Sequence, residues 1–150
     1  QAIRITLERG LASCSSVAFS LLAVVLSGDD DIDLSHRCAA LAESLLDPND
    51  PNIRQRSAHV SFNLLFMRYW REPLALLVDR AISIHKTGLK SGDHWSGFNG
   101  AVIYGNFYFY SGLPIAPLVK DLKKFCELMI DYRFHVSVLW VVPFYQAALN

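Results

Sequence analysis

Pro114-Ile-Ala-Pro-Leu-Val-Lys-Asp-Leu-Lys-Lys-Phe-Cys-Glu-Leu-Met-Ile-Asp131 is the stretch that decides the fold. Within it Leu118, Leu122, Phe125 and Met129 recur at steps of four, three and four. Lys120, Asp121, Lys123 and Lys124 fall between them. A chain turning once per 3.6 residues gathers the first set on one stripe and the second on the other side. Ser111-Gly-Leu-Pro114 before the stretch and Asp131-Tyr-Arg133 after it are turn signals, so the reading is one amphipathic helix between short loops.

Moving outward, the same punctuation repeats. Turn signals lie at Gly10, Ser27–Asp31, Asp47–Asn52, Arg71–Pro73 and Gly88–Asp93. Successive signals are about twenty residues apart, room for one helix and a short loop each time. Trp95, Phe98, Val102, Gly105 and Phe109 continue the three-four rhythm in the preceding interval. Asp93 is placed to cap that helix, and Asp29 to Asp33 favour the positive end of one entering near Leu34. Arg68 and Arg71 close a helix that starts near Ile53, and Lys86 and Lys90 close the next. The expectation is therefore an all-α chain of seven or eight helices. Antiparallel pairs with a period of about forty residues would stack as an α-solenoid segment, one unit over residues 1–150.

Two passages admit a second reading. Ala101–Tyr110 can be written as a β-hairpin turning on Gly105-Asn106, and Phe134–Tyr145 is rich in valine. The helical reading is preferred for both, with a kink expected at Pro143. Gly97, Gly100 and Gly105 each cost a helix about 1 kcal/mol relative to Ala. Close approach of a neighbouring helix is the physical reason to keep them.

Composition bounds the function. Of 150 residues, 52% are hydrophobic and 19% charged, enough apolar surface for a core. Lys plus Arg and Asp plus Glu are 14 each, so the basic excess of a nucleic-acid binder or a polybasic membrane anchor is missing. The longest apolar runs, Val17–Leu26 and Val136–Tyr145, are about half the length of a spanning helix. Cys14, Cys38 and Cys126 are odd in number and widely spaced, which reads as buried free thiols in a reducing cytoplasm. The chain starts at Gln1 without a leader pattern and stops in a helix-like run, Gln146-Ala-Ala-Leu-Asn150, as a segment of a longer polypeptide would.

A phosphate-cradling GxxxxGK[ST], a GxGxxG, a GxSxG elbow, HExxH and a calcium loop are all missing. Asp93, His94 and Ser96 are the residue types of a hydrolytic triad, but one helical turn cannot align them in a relay. A capping aspartate with exposed His and Ser is the better reading. His36 and Cys38 point to different sides of a helix, and the run Asp29–Asp31 reads as a solvated helix start. The aromatics from Trp95 to Tyr110 read first as core and second as a cradle for a small ligand.

With the helices placed, the second half resembles the TPR-like helical-repeat region of very large signalling ATPases. Those proteins join a kinase-like module, an AAA/STAND-type NTPase, an α-helical stretch, and GAF plus histidine-kinase or cyclase outputs. The residues carrying the likeness are Trp70 to Pro73, Gly88, Gly92, Asp93, Tyr104, Gly112, Leu118, and Gln146 to Asn150. The resemblance implies a non-catalytic module for protein–protein interaction and interdomain coupling, cytoplasmic, with protein partners and no cofactor. The alternative is a small-ligand sensor using the aromatics around Trp95–Tyr110. Trp70, at a helical step from Phe66, is expected to pack under the helix begun by Pro73 and set the angle between two repeats.

Overall fold

A computed structural model describes residues 1–12, 14–28, 31–46 and 51–150, with the backbone only at residue 2 and residues 51–55. Every regular element among them is a helix: α1 Ala2–Arg9, α2 Ser15–Gly28, α3 Ile32–Ser44, α4 Pro51–Tyr69, α5 Leu74–Ser91, α6 His94–Tyr110, α7 Ile115–Asp131 and α8 His135–Leu149. The stops follow from local chemistry. Asp31 and Asp93 each accept a hydrogen bond from a backbone N–H three residues on, Leu34 at 3.3 Å and Ser96 at 3.1 Å. Gly92 ends α5 in the left-handed region at φ 78°. At the end of α7 the left-handed position is filled by Arg133, at φ 62°. The amide of Phe134 reaches back to the carbonyl of Met129 at 2.8 Å and that of Arg133 to Ile130 at 2.9 Å, the Schellman pattern.

The even-numbered helices α2, α4, α6 and α8 each pack on the next of that series as well as on their chain neighbours. The odd-numbered helices lie against chain neighbours only, so α3 and α5 stand apart with α4 between them. This makes α4 a shared wall. Phe62 and Leu65 face one core with α5, α6, α7 and α8, while Val60, Leu64 and Met67 face the other with α2 and α3. A helix buried on two sides has no single apolar stripe, which is why its periodicity is faint.

The tightest crossing joins α5 to α6. A Cβ placed on Gly88 would lie 2.5 Å from the Gly97 nitrogen, and one on Gly100 would lie 2.9 Å from the His85 nitrogen. His85, buried at this crossing, pairs its Nδ1 with the Gly97 carbonyl at 2.9 Å and packs edge-on against Phe125. Burial favours the neutral imidazole and pushes its pKa below the usual value. Tyr104 ties α6 to α7 by donating to Asp121 Oδ2 at 2.7 Å. Burial first, then that carboxylate, push its phenol pKa far up, so the hydroxyl stays a donor.

Both ambiguous passages are helical. Residues 101–110 lie inside α6, where Gly105 faces the Leu122 side chain rather than a hairpin turn. Residues 135–149 form α8 with Pro143 inside it, on the exposed side where water can satisfy the freed carbonyl. Eight helices match the expected number and Gly10, Gly92 and Gly112 the expected turns. Gly88 does not: α5 runs on to Ser91, and Gly88 is a packing residue rather than loop. The buried face of α6 only partly follows the expected stripe. Phe98 and Gly105 are buried as expected, but so are Gly97, Ala101 and Tyr104 beside them, while Trp95 is half exposed. The glycines, having no side chain, carry no hydrophobic signal to mark that face.

The expectation for Trp70 fails. It follows the last residue of α4, is 77% exposed and touches Tyr69 edge-on at 4.9 Å. The stripe His59, Asn63, Phe66, Trp70 climbs from the core to the surface, because α4 turns its two buried faces to either side of it. Pro73 precedes α5 as its cap residue, as its missing N–H permits. All three cysteines are free, yet only Cys38 is buried; Cys14 is exposed and Cys126 half-buried. Burial raises the thiol pKa of Cys38 and Cys126. The acidic residues Asp29 and Asp30 and the turn at Asp47–Asp50 lie outside the described residues.

Candidate functional site

The separation of α3 from α5 leaves a groove floored by α4. Its floor is a helical stripe, Ala58, Ser61, Leu65 and Arg68, at steps of three, four and three. Arg80, Ser83, Ile84 and Thr87 of α5 form one wall at similar steps. His36, Ala39, Ala40 and Glu43 of α3 form the other, with Arg71 and Glu72 closing the end. Two adjoining cavities of about 220 and 250 Å³ make up the groove and share Glu43, Leu64 and Arg68.

Charge is concentrated at one end. Arg68 donates to Glu43 at 2.6 Å across the α3–α4 side and stands 3.7 Å from Glu72. Arg80 reaches Glu72 from α5 at 3.5 Å. Two guanidiniums thus share two carboxylates in three pairs, and these solvent-touched pairs are worth under about 1 kcal/mol each. They orient more than they stabilise. The hydroxyls of Ser61, Ser83 and Thr87 line the groove with no hydrogen bond to the protein. The result is a groove whose lining mixes Ala58, Leu64, Leu65 and Ile84 with serine, threonine, arginine and glutamate side chains.

Nothing aligns for acid–base or nucleophilic chemistry at the residues the sequence offered. Asp93 caps α6 through one carboxylate oxygen, the ring of His94 packs edge-on against Tyr132, and Ser96 is fully buried rather than exposed. Its hydroxyl has no hydrogen-bond partner. Among the described residues no group of three His, Cys, Asp or Glu side chains could hold a metal ion. Nor is any described helix long and apolar enough to cross a membrane.

No protein family, curated protein or solved structure matches the chain. Function must be argued from the surface itself.

The residues of the family resemblance serve the scaffold. Gly88 sits in the α5–α6 crossing, Gly92 and Gly112 hold positive φ, and Leu118 is fully buried. Tyr104 bonds to α7, and Asn150 donates to the Gln146 carbonyl at 3.0 Å. Trp70, Pro73 and Asp93 end or begin helices. The aromatic run also divides: Phe98, Tyr104 and Phe107 are core, while Trp95 and Tyr110 are exposed. The cavities over α4 are lined by none of them. Arg68 was read from sequence only as a residue closing its helix, and Arg80 and Glu43 were not singled out. The signal that could have found the groove is Ser61, Ser83 and Thr87, small polar residues between apolar positions of α4 and α5.

Proposed function

We propose that this chain is a non-catalytic helical-repeat module, an α-solenoid segment of TPR-like type that binds protein and couples the ATPase and output parts of a signalling protein. The packing of each even-numbered helix on the next is the observation that carries the reading. Such a row extends by adding units, and the odd-numbered helices stand off it like the ribs of a groove. The groove over α4, with its free hydroxyls and guanidinium end, supplies the contact surface. The aromatics from Trp95 to Tyr110 give less support to the sensor reading, because Phe98, Tyr104 and Phe107 are spent on the core and Trp95 and Tyr110 are exposed.

The test is interdomain coupling. Arg68→Ala with Arg80→Ala, made in the full polypeptide, should leave ATP hydrolysis intact and sever its link to output. The chain alone should not hydrolyse ATP. Hydrogen exchange should slow in α3, α4 and α5 when the neighbouring domains are present. Unchanged coupling in the double variant, or protection confined to other helices, would refute the assignment.

A further inference from the structure

A third cavity, of about 340 Å³, lies where the start of α2, the beginning of α4 and the α5–α6 junction meet. It is lined by Cys14, Val17, Arg56, His59, Gly92 and Asp93, none of which touches the groove over α4. We propose that this cleft binds a small zwitterion, a molecule with a carboxylate and an ammonium group on one short apolar frame.

Three observations carry it. Arg56 lines the cleft, and its Nη1 nitrogen is buried with no hydrogen-bond partner. A buried charged donor without an acceptor is costly and rare, and a guanidinium is built to grip a carboxylate through two parallel bonds. A ligand carboxylate supplies the missing acceptor. Asp93 lies on the same wall. One of its oxygens takes the Ser96 amide, and among the described residues the other has no recorded partner. No ion pair within 4.0 Å joins Asp93 to Arg56 among the described residues, so opposite charges face one cleft without cancelling each other. A plain anion would be repelled by Asp93 and a plain amine by Arg56; a molecule with both charges satisfies both. Val17 and the ring of His59, held by stacking on Trp95 at 5.2 Å and 22°, also line the cleft and would contact the ligand frame.

Cys14 provides the readout, since it lines the cleft and is exposed, while Cys38 is buried and Cys126 half-buried. The rate of Cys14 alkylation by iodoacetamide is followed by peptide mass spectrometry with three matched probes. L-leucine carries both charges, 4-methylpentanoate lacks the amine, and isoamylamine lacks the carboxylate. L-leucine should slow Cys14 severalfold at millimolar concentration, leave Cys38 and Cys126 unchanged, and shift the amide signals of His59 and Asp93. The two half-molecules should do neither. Arg56→Gln should weaken L-leucine roughly tenfold or more, since it removes a charge-assisted pair. Asp93→Asn, which keeps a capping oxygen, should weaken it also. Equal protection by either half-molecule or by sulfate, undiminished protection in Arg56→Gln, or no protection and no shift with L-leucine would each overturn the proposal. The wild-type panel decides even if a variant fails to fold.

Discussion

Replacing Gly88 by alanine is the sharpest test of how this protein is held together. Its added Cβ would meet the Gly97 nitrogen at 2.5 Å, the Gly97 Cα at 2.6 Å and the Asp93 carbonyl oxygen at 2.8 Å. All three are backbone atoms, so no side chain can swing away. Ordinary contact begins at 3.4 Å, and the two helices must therefore part by about 0.9 Å locally. A gap of that size forfeits a quarter to a half of each dispersion contact along the crossing. It also stretches the 2.9 Å contact of His85 to the Gly97 carbonyl, a buried pair. Overpacking of this kind costs about 3 kcal/mol, against which alanine's better helix propensity returns about 1. The net loss of about 2 kcal/mol should lower the melting temperature by about 4–8 °C for a chain of this size. Two internal comparisons guard the reasoning. Gly97→Ala meets its nearest backbone atoms at 3.2 and 3.3 Å and should cost little. Gly105→Ala meets the far end of one buried side chain, Leu122 Cδ2 at 2.8 Å, rather than backbone, and should cost less than Gly88→Ala. Circular dichroism melts of the three variants give the order directly. A Gly88→Ala protein as stable as wild type, or a Gly105→Ala protein damaged as badly, would refute the close-crossing argument.

Three further outcomes follow from the same structure. Trp70→Ala should change stability by less than about 1 kcal/mol in urea titration, because an indole 77% exposed, in edge contact with Tyr69, has little buried surface to lose. Arg133→Gly should stabilise by up to about 1 kcal/mol, since glycine holds the left-handed position at φ 62° without a Cβ clash; a lower melting temperature would contradict this. His85 should make stability fall with acidification. Its folded pKa lies below the unfolded value of 6.5, so below that pH the unfolded chain takes up a proton that the folded one refuses. The loss continues down to the folded pKa and is smaller in His85→Gln, as urea midpoints between neutral and mildly acidic pH should show.

What the sequence disclosed depended on how many sides of each helix are buried. α7 lies at the edge of its core, with Leu118, Leu122, Phe125 and Met129 in and the lysines out, and its pattern could be read without help. Asp93, Gly92 and Gly112 acted through local bonds or local φ, so their roles were also open to inspection. α4 and α6 are buried on more than one side, and their patterns therefore misled. The apparent stripe ending at Trp70 crosses from core to solvent, and the buried face of α6 is written partly in glycine. Burial on two sides places α4 between two cores, and no single stripe can mark such a helix.

The same reasoning explains why neither recessed site was legible. The groove exists because α3 and α5 do not meet, and Glu43, Arg68 and Arg80 come together from three helices across a span of almost forty residues. Arg56 looked like any surface arginine near a helix start; only the folded surroundings leave its nitrogen dry and unpaired. Periodicity reports which residues leave water, and it is silent on which polar groups are carried in with them. The binding proposed here falls in gaps between helices, where exposed serines, threonines and arginines look like ordinary surface. On that proposal, substitutions in those gaps should alter binding while leaving the melting temperature in place.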